Sequence, residues 1–312
     1  MRAFVFPGQG SQSVGMGKDL AAASAAARDV FGEVDEALGQ NLFRLMTEGP
    51  DEDLRLTANA QPAIMALSMA VFSALSKEGG VALDKAASFV AGHSLGEYSA
   101  LCGAGSFGLS TTAKLLRERG QAMQAAVPVG EGAMAALLGA DLALAEKIAS
   151  AAAEGEVCTV ANDNDPSQVV ISGAKAAIDR AVAIAKDMGA KRAVLLPVSA
   201  PFHCPLMQPA ADVMAVALGG TEIWVPAVPV YANVTAEPVA DPSIIRNLLV
   251  DQVTGMVRWR ECVANMTAAG VTDFVEIGGK VLGPMIKRIS PDANVTSVVT
   301  IEDIEALAKD IA

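Results

Sequence analysis

No two of the four cysteines (Cys102, Cys158, Cys204 and Cys262) come close to a CxxC spacing, so the chain lacks the ligand pairs of a zinc site and any disulfide framework. Thiols scattered in this way point to a reducing, cytoplasmic setting. Histidine is scarcer still, with only His93 and His203. Positive charge is in deficit: 23 Lys+Arg against 35 Asp+Glu leave a formal net charge of −12. Such a chain repels phosphate backbones, which disfavours nucleic acid as a partner, and an anionic partner needs a local basic patch. Long apolar runs are missing too. The longest charge-free window, Leu56 to Ser76, contains Asn59, Gln61 and Pro62, and its apolar part is about 13 residues against the ~20 of a membrane span. A core helix starting at Pro62 is expected there, and no membrane partner. Met1-Arg2 runs directly into a strand-like Ala3–Phe6, so no secretory leader is expected.

What is present is core material, with 52% hydrophobic residues in 312, enough for one large domain or two modest ones. Short apolar strands (Ala3–Phe6, Ser88–Ala91, Val228–Ala232, Asp273–Ile277, Thr296–Val299) alternate with Ala-rich helical stretches (Ala63–Lys77, Leu95–Gly103, Ser110–Ala126, Pro205–Leu218, Pro242–Gln252, Arg258–Gly270, Glu302–Ile311). The strands lack clean alternation, as expected of parallel strands covered on both faces. Thr300 is placed to cap the last helix. One stretch breaks the rhythm: strand Ala133–Leu138, helix Asp141–Ala153, strands Val157–Ala161 and Gln168–Ser172 around an Asn162-Asp163-Asn164-Asp165-Pro166 turn, helix Ala174–Met188, strand Arg192–Leu196. That βαββαβ order is the ferredoxin-like unit. The expected fold class is α/β. An α/β-hydrolase-like large domain with a mostly parallel sheet (1–128 and 199–312) carries an inserted ferredoxin-like subdomain (129–198).

Gly92-His93-Ser94-Leu95-Gly96 fits GxSxG, a sharp strand-to-helix turn that exposes a serine hydroxyl and aims the next N–H at a forming oxyanion. The pattern is short, but here a strand precedes it and a helix follows. A serine nucleophile needs a base. His93 is adjacent to Ser94, where side chains on a tight turn diverge. His203 lies in a loop after a strand, where open α/β sheets place their sites. No acid stands out as a third member: Asp141, Asp163, Asp165 and Asp179 all fall in the inserted subdomain. A backbone carbonyl can orient an imidazole equally well, which favours a Ser–His dyad. Pro7-Gly8-Gln9-Gly10-Ser11-Gln12 fails both the P-loop and GxGxxG tests. It reads either as an oxyanion loop or as a plain turn. On spacing alone, Arg117 and Arg119 are surface residues.

Taken together, Pro7–Gln12, Gly92-His93-Ser94-Leu95-Gly96-Glu97-Tyr98, Arg119-Gly120 with Met123, Ser199–His203, and Glu276-Ile277-Gly278-Gly279-Lys280-Val281-Leu282 resemble the malonyl-CoA:acyl carrier protein transacylase family, in family order along the full length. The resemblance implies that Ser94 is acylated, that His203 is the base, and that the Gln252 carbonyl orients its ring. It implies oxyanion donors at the N–H groups of Leu95 and Gln9, and a malonyl carboxylate bound by Arg119, reversing the surface reading for that residue but not for Arg117. Met123 and Asn162 are carried over as substrate-binding positions. Phe202 either crowds the malonyl α-carbon or simply packs. Gly278-Gly279 departs from the family's usual Gly-Pro-Gly in a loop read as structural.

The implied partners are malonyl-CoA and phosphopantetheinylated acyl carrier protein, with no cofactor, no metal, and a monomeric state. Because carrier proteins are acidic, a cationic rim is expected, with Lys191, Arg192, Lys280, Lys287 and Arg288 as candidates. Three alternatives stay open: a trans-acting polyketide acyltransferase, a serine thioesterase or hydrolase, and a non-catalytic carrier-binding module.

Overall fold

The computed structural model describes residues 1–311. Its strands are β1 (Arg2–Phe6), β2 (Phe89–Gly92), β3 (Gly132–Leu138), β4 (Cys158–Asp165), β5 (Gln168–Ala174), β6 (Arg192–Leu195), β7 (Val230–Tyr231), β8 (Pro238–Val239), β9 (Asp273–Ile277) and β10 (Asn294–Val298). They form a six-stranded sheet, β10-β9-β1-β2-β7-β8, and a four-stranded sheet, β4-β5-β3-β6. In the first, every neighbouring pair is parallel except β7 with β8.

The large sheet is buried on both faces, which explains its unbroken apolar strands. Along β1, Phe4 and Phe6 join the cluster under helix Thr57–Lys77, while Ala3 and Val5 join the opposite cluster with Trp259, Val263 and Ile286. The second sheet alternates more cleanly. Ala135, Leu137, Val169 and Ile171 pack under helices Leu142–Ala153 and Lys175–Ile184, whereas Met134, Ala136 and Val170 face the main body. Its four strands are antiparallel to their neighbours and enclose the two helices in the βαββαβ order.

Three sequence expectations are corrected. Helix Thr57–Lys77 begins five residues before Pro62, which sits inside it. The first turns are held by close packing rather than started by proline, since Gly120 of helix Leu109–Ala125 presses directly on the Thr57 and Ala58 backbone. Helices also fill 18–55 and the stretch Leu282–Ile289, which the strand–helix reading left unassigned. Last, Asn162 to Asp165 is not a turn. These residues continue β4, with register shifts, and all four are buried. Their polarity serves the seam between the two sheets. Asp163 takes a fork of hydrogen bonds from Arg260, Asp165 accepts from Arg288 at 2.8 Å, and Asn164 bonds His93 at 2.8 Å. Turn-forming residues were thus selected here as hydrogen-bonding partners, overriding local propensity. Thr300 does cap the last helix, accepting from the Asp303 N–H at 3.3 Å while the Asp303 carboxylate reaches back to the Thr300 N–H.

The Gly120 contact generates a paired prediction. A Cβ there would lie 2.6 Å from the Ala58 Cα, backbone against backbone, whereas at Gly32, mid-helix in Ala25–Leu38, it meets nothing within 4 Å. Gly120→Ala should destabilise by roughly 2–4 kcal/mol, and Gly32→Ala should stabilise by about 0.5–1 kcal/mol. Urea-unfolding midpoints of the two variants check both signs.

Candidate active site

The parallel register sets the site. Phe6 pairs with Gly92 and Ala91 with Tyr231, so β1, β2 and β7 end at one level. The residues just beyond them, at 7–12, 93–94 and 232–233, meet at the carboxyl edge of the sheet, where α/β folds place ligands. Ser94 makes the turn from β2 into helix Leu95–Gly103 with φ 54° and ψ −112°, a conformation an L-residue adopts only under constraint. Two glycines make the constraint possible. A Cβ on Gly92 would fall 1.9 Å from the Gly96 carbonyl, and one on Gly96 would fall 2.3 Å from the Phe6 oxygen. Asn233 locks the turn: its Oδ1 accepts from the Ser94 N–H at 2.8 Å and its Nδ2 donates to the Gly92 carbonyl at 2.7 Å.

The Ser94 hydroxyl lies 2.8 Å from His203 Nε2, and His203 Nδ1 lies 2.9 Å from the Gln252 carbonyl oxygen. That carbonyl can only accept, so Nδ1 carries the proton and Nε2 faces Ser94 with its lone pair. Burial, reinforced by the Arg119 charge and opposed by the Gln252 carbonyl, pushes the His203 pKa down to about 3. The imidazole is therefore neutral, ready to take a proton. His93 turns away, bonding Asn164 and tilting against Trp259 at 5.8 Å. Asp163 and Asp165 are engaged by arginines at the seam, and the His203 ring takes its orienting contact from a main-chain carbonyl.

Arg119 is buried at 1% exposure, and Arg117 is the half-buried one. Arg117 bridges Asn59 and Gln40 at 2.6 Å each, a structural clamp rather than a free surface charge. Arg119 donates through Nη1 to Gln61 Oε1 at 2.7 Å, and through Nη2 to Gln252 Oε1 at 3.0 Å and Ser94 Oγ at 3.2 Å. Its guanidinium lies over the Tyr98 ring, 5.7 Å from the centroid. Among the described residues no carboxylate touches it.

Ser94, His203, Arg119 and Gln61 line one cleft of about 240 Å³, together with Gln9, Leu95, Met123, Asn162, Phe202, Met134 and the 196–198 strand exit. The Leu95 N–H opens a helix and has no intrahelical acceptor. Gly8 brings the Gln9 loop against the elbow so closely that a Cβ would sit 2.6 Å from the His93 carbonyl. Gln252 is placed behind the cleft rather than on its wall, touching both His203 and Arg119 from beneath. Four participants escaped the sequence reading: Gln61, Glu97, Asn164 and Asn233. Glu97 had a local signal, as the lone acid in an otherwise apolar helix; the others had none. Of the candidate rim cations, Arg288 is tied to Asp165, while Lys191, Arg192, Lys280 and Lys287 are exposed.

An elbow serine paired to a neutral histidine, on a mostly parallel sheet with a second sheet over the cleft, is the centre of a serine enzyme of acyl transfer, the chemistry that acyltransferases and hydrolases share. Residues 3–282 match the family model of the acyl transferase domain. The chain is 47% identical to the malonyl CoA-acyl carrier protein transacylase of Escherichia coli K12, over 92% of each chain. It superposes on an acyl-carrier-protein-S-malonyltransferase from Bartonella henselae with a TM-score of 0.97, at 54% identity and 99% coverage of both chains. A malonyl-transacylase solved in complex with a type II polyketide acyl carrier protein matches with a TM-score of 0.95, at 41% identity and 99% coverage of both. The chain belongs to the malonyl CoA-acyl carrier protein transacylase family.

With two histidines in the chain, both held below the ordinary imidazole value by burial, the proton NMR spectrum is a direct check. The His203 C2–H resonance should not titrate between pH 8 and 5, and that of His93 should titrate below the ordinary imidazole value. In the unfolded chain both bind protons near pH 6.5, so the unfolded state gains protons first as pH falls. The histidine contribution to stability should be complete above pH 6.5 and decline below it, by up to about 1.4 kcal/mol per pH unit for each imidazole, while Glu97, raised by burial to about 7, takes its proton in the folded state first and offsets part of the decline. Urea unfolding at pH 7, 6 and 5 measures the decline.

Proposed function

We propose that the chain transfers the malonyl group of malonyl-CoA to the phosphopantetheine thiol of acyl carrier protein through a malonyl-Ser94 ester, supplying fatty acid elongation. The observation that carries this reading is Arg119: a buried guanidinium 3.2 Å from the Ser94 hydroxyl, unopposed by any touching carboxylate, is a receptor for an acyl group ending in one. A hydrolase of neutral esters has no use for it.

Malonyl-CoA enters with its carboxylate on Arg119, displacing the Gln61 or Ser94 contact. His203 Nε2 takes the Ser94 proton as Oγ attacks the thioester carbonyl. The N–H groups of Gln9 and Leu95 receive the tetrahedral oxyanion, each such donor contributing about 3–4 kcal/mol in comparable acyl-transfer sites. The C–S bond breaks and coenzyme A departs with the proton from His203. The carrier's pantetheine thiol then gives its proton to the same nitrogen, attacks the ester, and Ser94 recovers its hydrogen. Met123, Met134 and Phe202 line the cleft with apolar surface, which disfavours water at the ester. Phe202 stands beside the base, where it would crowd a branched α-carbon. Asn162 borders the cleft on the subdomain side, in reach of the thioester arm. The exposed Lys191, Arg192, Lys280 and Lys287 are the docking candidates for the acidic carrier. The reading is of a monomeric cytoplasmic enzyme, with residues 129–198 as a subdomain roofing the cleft. A polyketide carrier is the second reading, favoured by the structural match to a malonyl-transacylase bound to one.

Intact-protein mass spectrometry after incubation with malonyl-CoA alone tests the first half-reaction. The wild-type chain should gain one malonyl group and Ser94→Ala none. Arg119→Ala should lose at least 10²-fold in malonyl loading while loading acetyl from acetyl-CoA as well as, or better than, wild type. Coenzyme A release without an adduct would mark a hydrolase instead. Presenting fatty acid and polyketide carriers to the loaded enzyme separates the two transferase readings.

A further inference from the structure

Arg119 is a cation sealed in the protein, and an unpaired buried cation is strongly unfavourable. Its counter-charge is one amide away. Glu97, 2% exposed, accepts from Gln252 Nε2 at 2.8 Å and from the Asn233 N–H at 2.9 Å, and Gln252 Oε1 accepts from Arg119 at 3.0 Å. A carboxylate in direct contact would occupy the guanidinium. Held behind Gln252, it balances the charge and leaves the fork open toward Ser94. We propose that Glu97 is the resident counter-ion of Arg119, and that it takes up a proton from solvent when the substrate's carboxylate arrives to replace it.

The arrangement supports this in three ways. The Glu97–Gln252–Arg119 chain is buried throughout, so the two negative charges, Glu97 and the incoming carboxylate, would repel through a poorly screened interior. Burial already pushes Glu97 up to about 7, with the Asn233 and Gln252 hydrogen bonds and the Arg119 charge opposing, so a proton is available at little expense near neutrality. The other ionisable groups packed around it do not titrate in that range. Tyr98 on its own helix and Cys262 on helix Trp259–Ala268 are raised far above their usual values by burial, and His203 and His93 are lowered. Protonation of Glu97 on Oε1 leaves Oε2 free to keep both accepted hydrogen bonds.

The inference rests on the malonyl-transfer reading, and the test separates the two. The ratio of malonyl-CoA to acetyl-CoA kcat/KM for Ser94 loading is measured from pH 6 to 9, the shared coenzyme A moiety cancelling its own ionisation. In wild type the ratio should fall about tenfold as pH rises through the Glu97 titration, the change expected if the two charges are coupled by one pKa unit. Glu97→Gln, a mimic of the protonated side chain, should give a ratio flat with pH and no lower than the wild-type value at pH 6. A second measurement does not depend on activity. At pH 8, where Glu97 is ionised, the double variant Glu97→Gln/Arg119→Met should be more stable than the sum of the two single-variant effects predicts. A flat wild-type ratio, a Glu97→Gln ratio that keeps the wild-type slope, or additive stability effects would each overturn the proposal. Absence of malonyl loading in wild type at every pH would instead sink the transferase reading itself.

Discussion

Everything at the site hangs from one strained backbone position. Ser94 is turned into a conformation that costs about 1–3 kcal/mol for an L-residue, and it stays there because the surroundings leave no alternative. Gly92 and Gly96 meet at a separation that excludes any side chain, and Asn233 holds the peptide groups on both sides of the turn. The strain produces the functional geometry: it lifts the hydroxyl off the sheet edge toward His203 and starts a helix whose first N–H points into the same cleft.

Gln252 is the second organising element, and it explains why no acid accompanies the histidine. Its main-chain carbonyl orients the ring, and its side chain links Arg119 to Glu97 and to the Ser94 carbonyl. A buried aspartate beside His203 would raise the imidazole pKa and add negative charge next to the guanidinium that receives the acyl carboxylate. A neutral carbonyl fixes the tautomer without that penalty. The base is thus kept neutral by burial and by Arg119, and the same cation serves to receive the substrate.

The four-stranded sheet is coupled to this centre by short, direct links. The Val257 carbonyl and N–H pair with Asp163 and Ala161 of β4, five residues beyond Gln252, and Asn164 of the same strand holds His93 next to the nucleophile. The salt bridges Asp163–Arg260 and Asp165–Arg288 flank those contacts. The two sheets bordering the cleft are therefore held in register by Asn162–Asp165, the end of β4 whose residue types favour a turn.

Features set by neighbours within a few residues were open to reading in the linear chain. The elbow needs only Gly92, Ser94 and Gly96 between a strand and a helix, and the βαββαβ unit needs only periodicity and turn chemistry. Arg119 became visible as a site residue through family resemblance, not through its spacing, because helical periodicity does not say which face a neighbouring helix will cover. Contacts across long stretches were not written locally. Gln252 lies 158 residues from Ser94 and Asn233 lies 139 away. Asn162 to Asp165 carry turn-forming side chains whose strand conformation depends on partners 71 residues upstream and 97 and 123 residues downstream. Local preferences there are worth up to about 1 kcal/mol, while each buried, unpaired polar group costs about 1–3 kcal/mol. Folding therefore resolves those positions by pairing, and the choice of partner follows from how the two sheets pack.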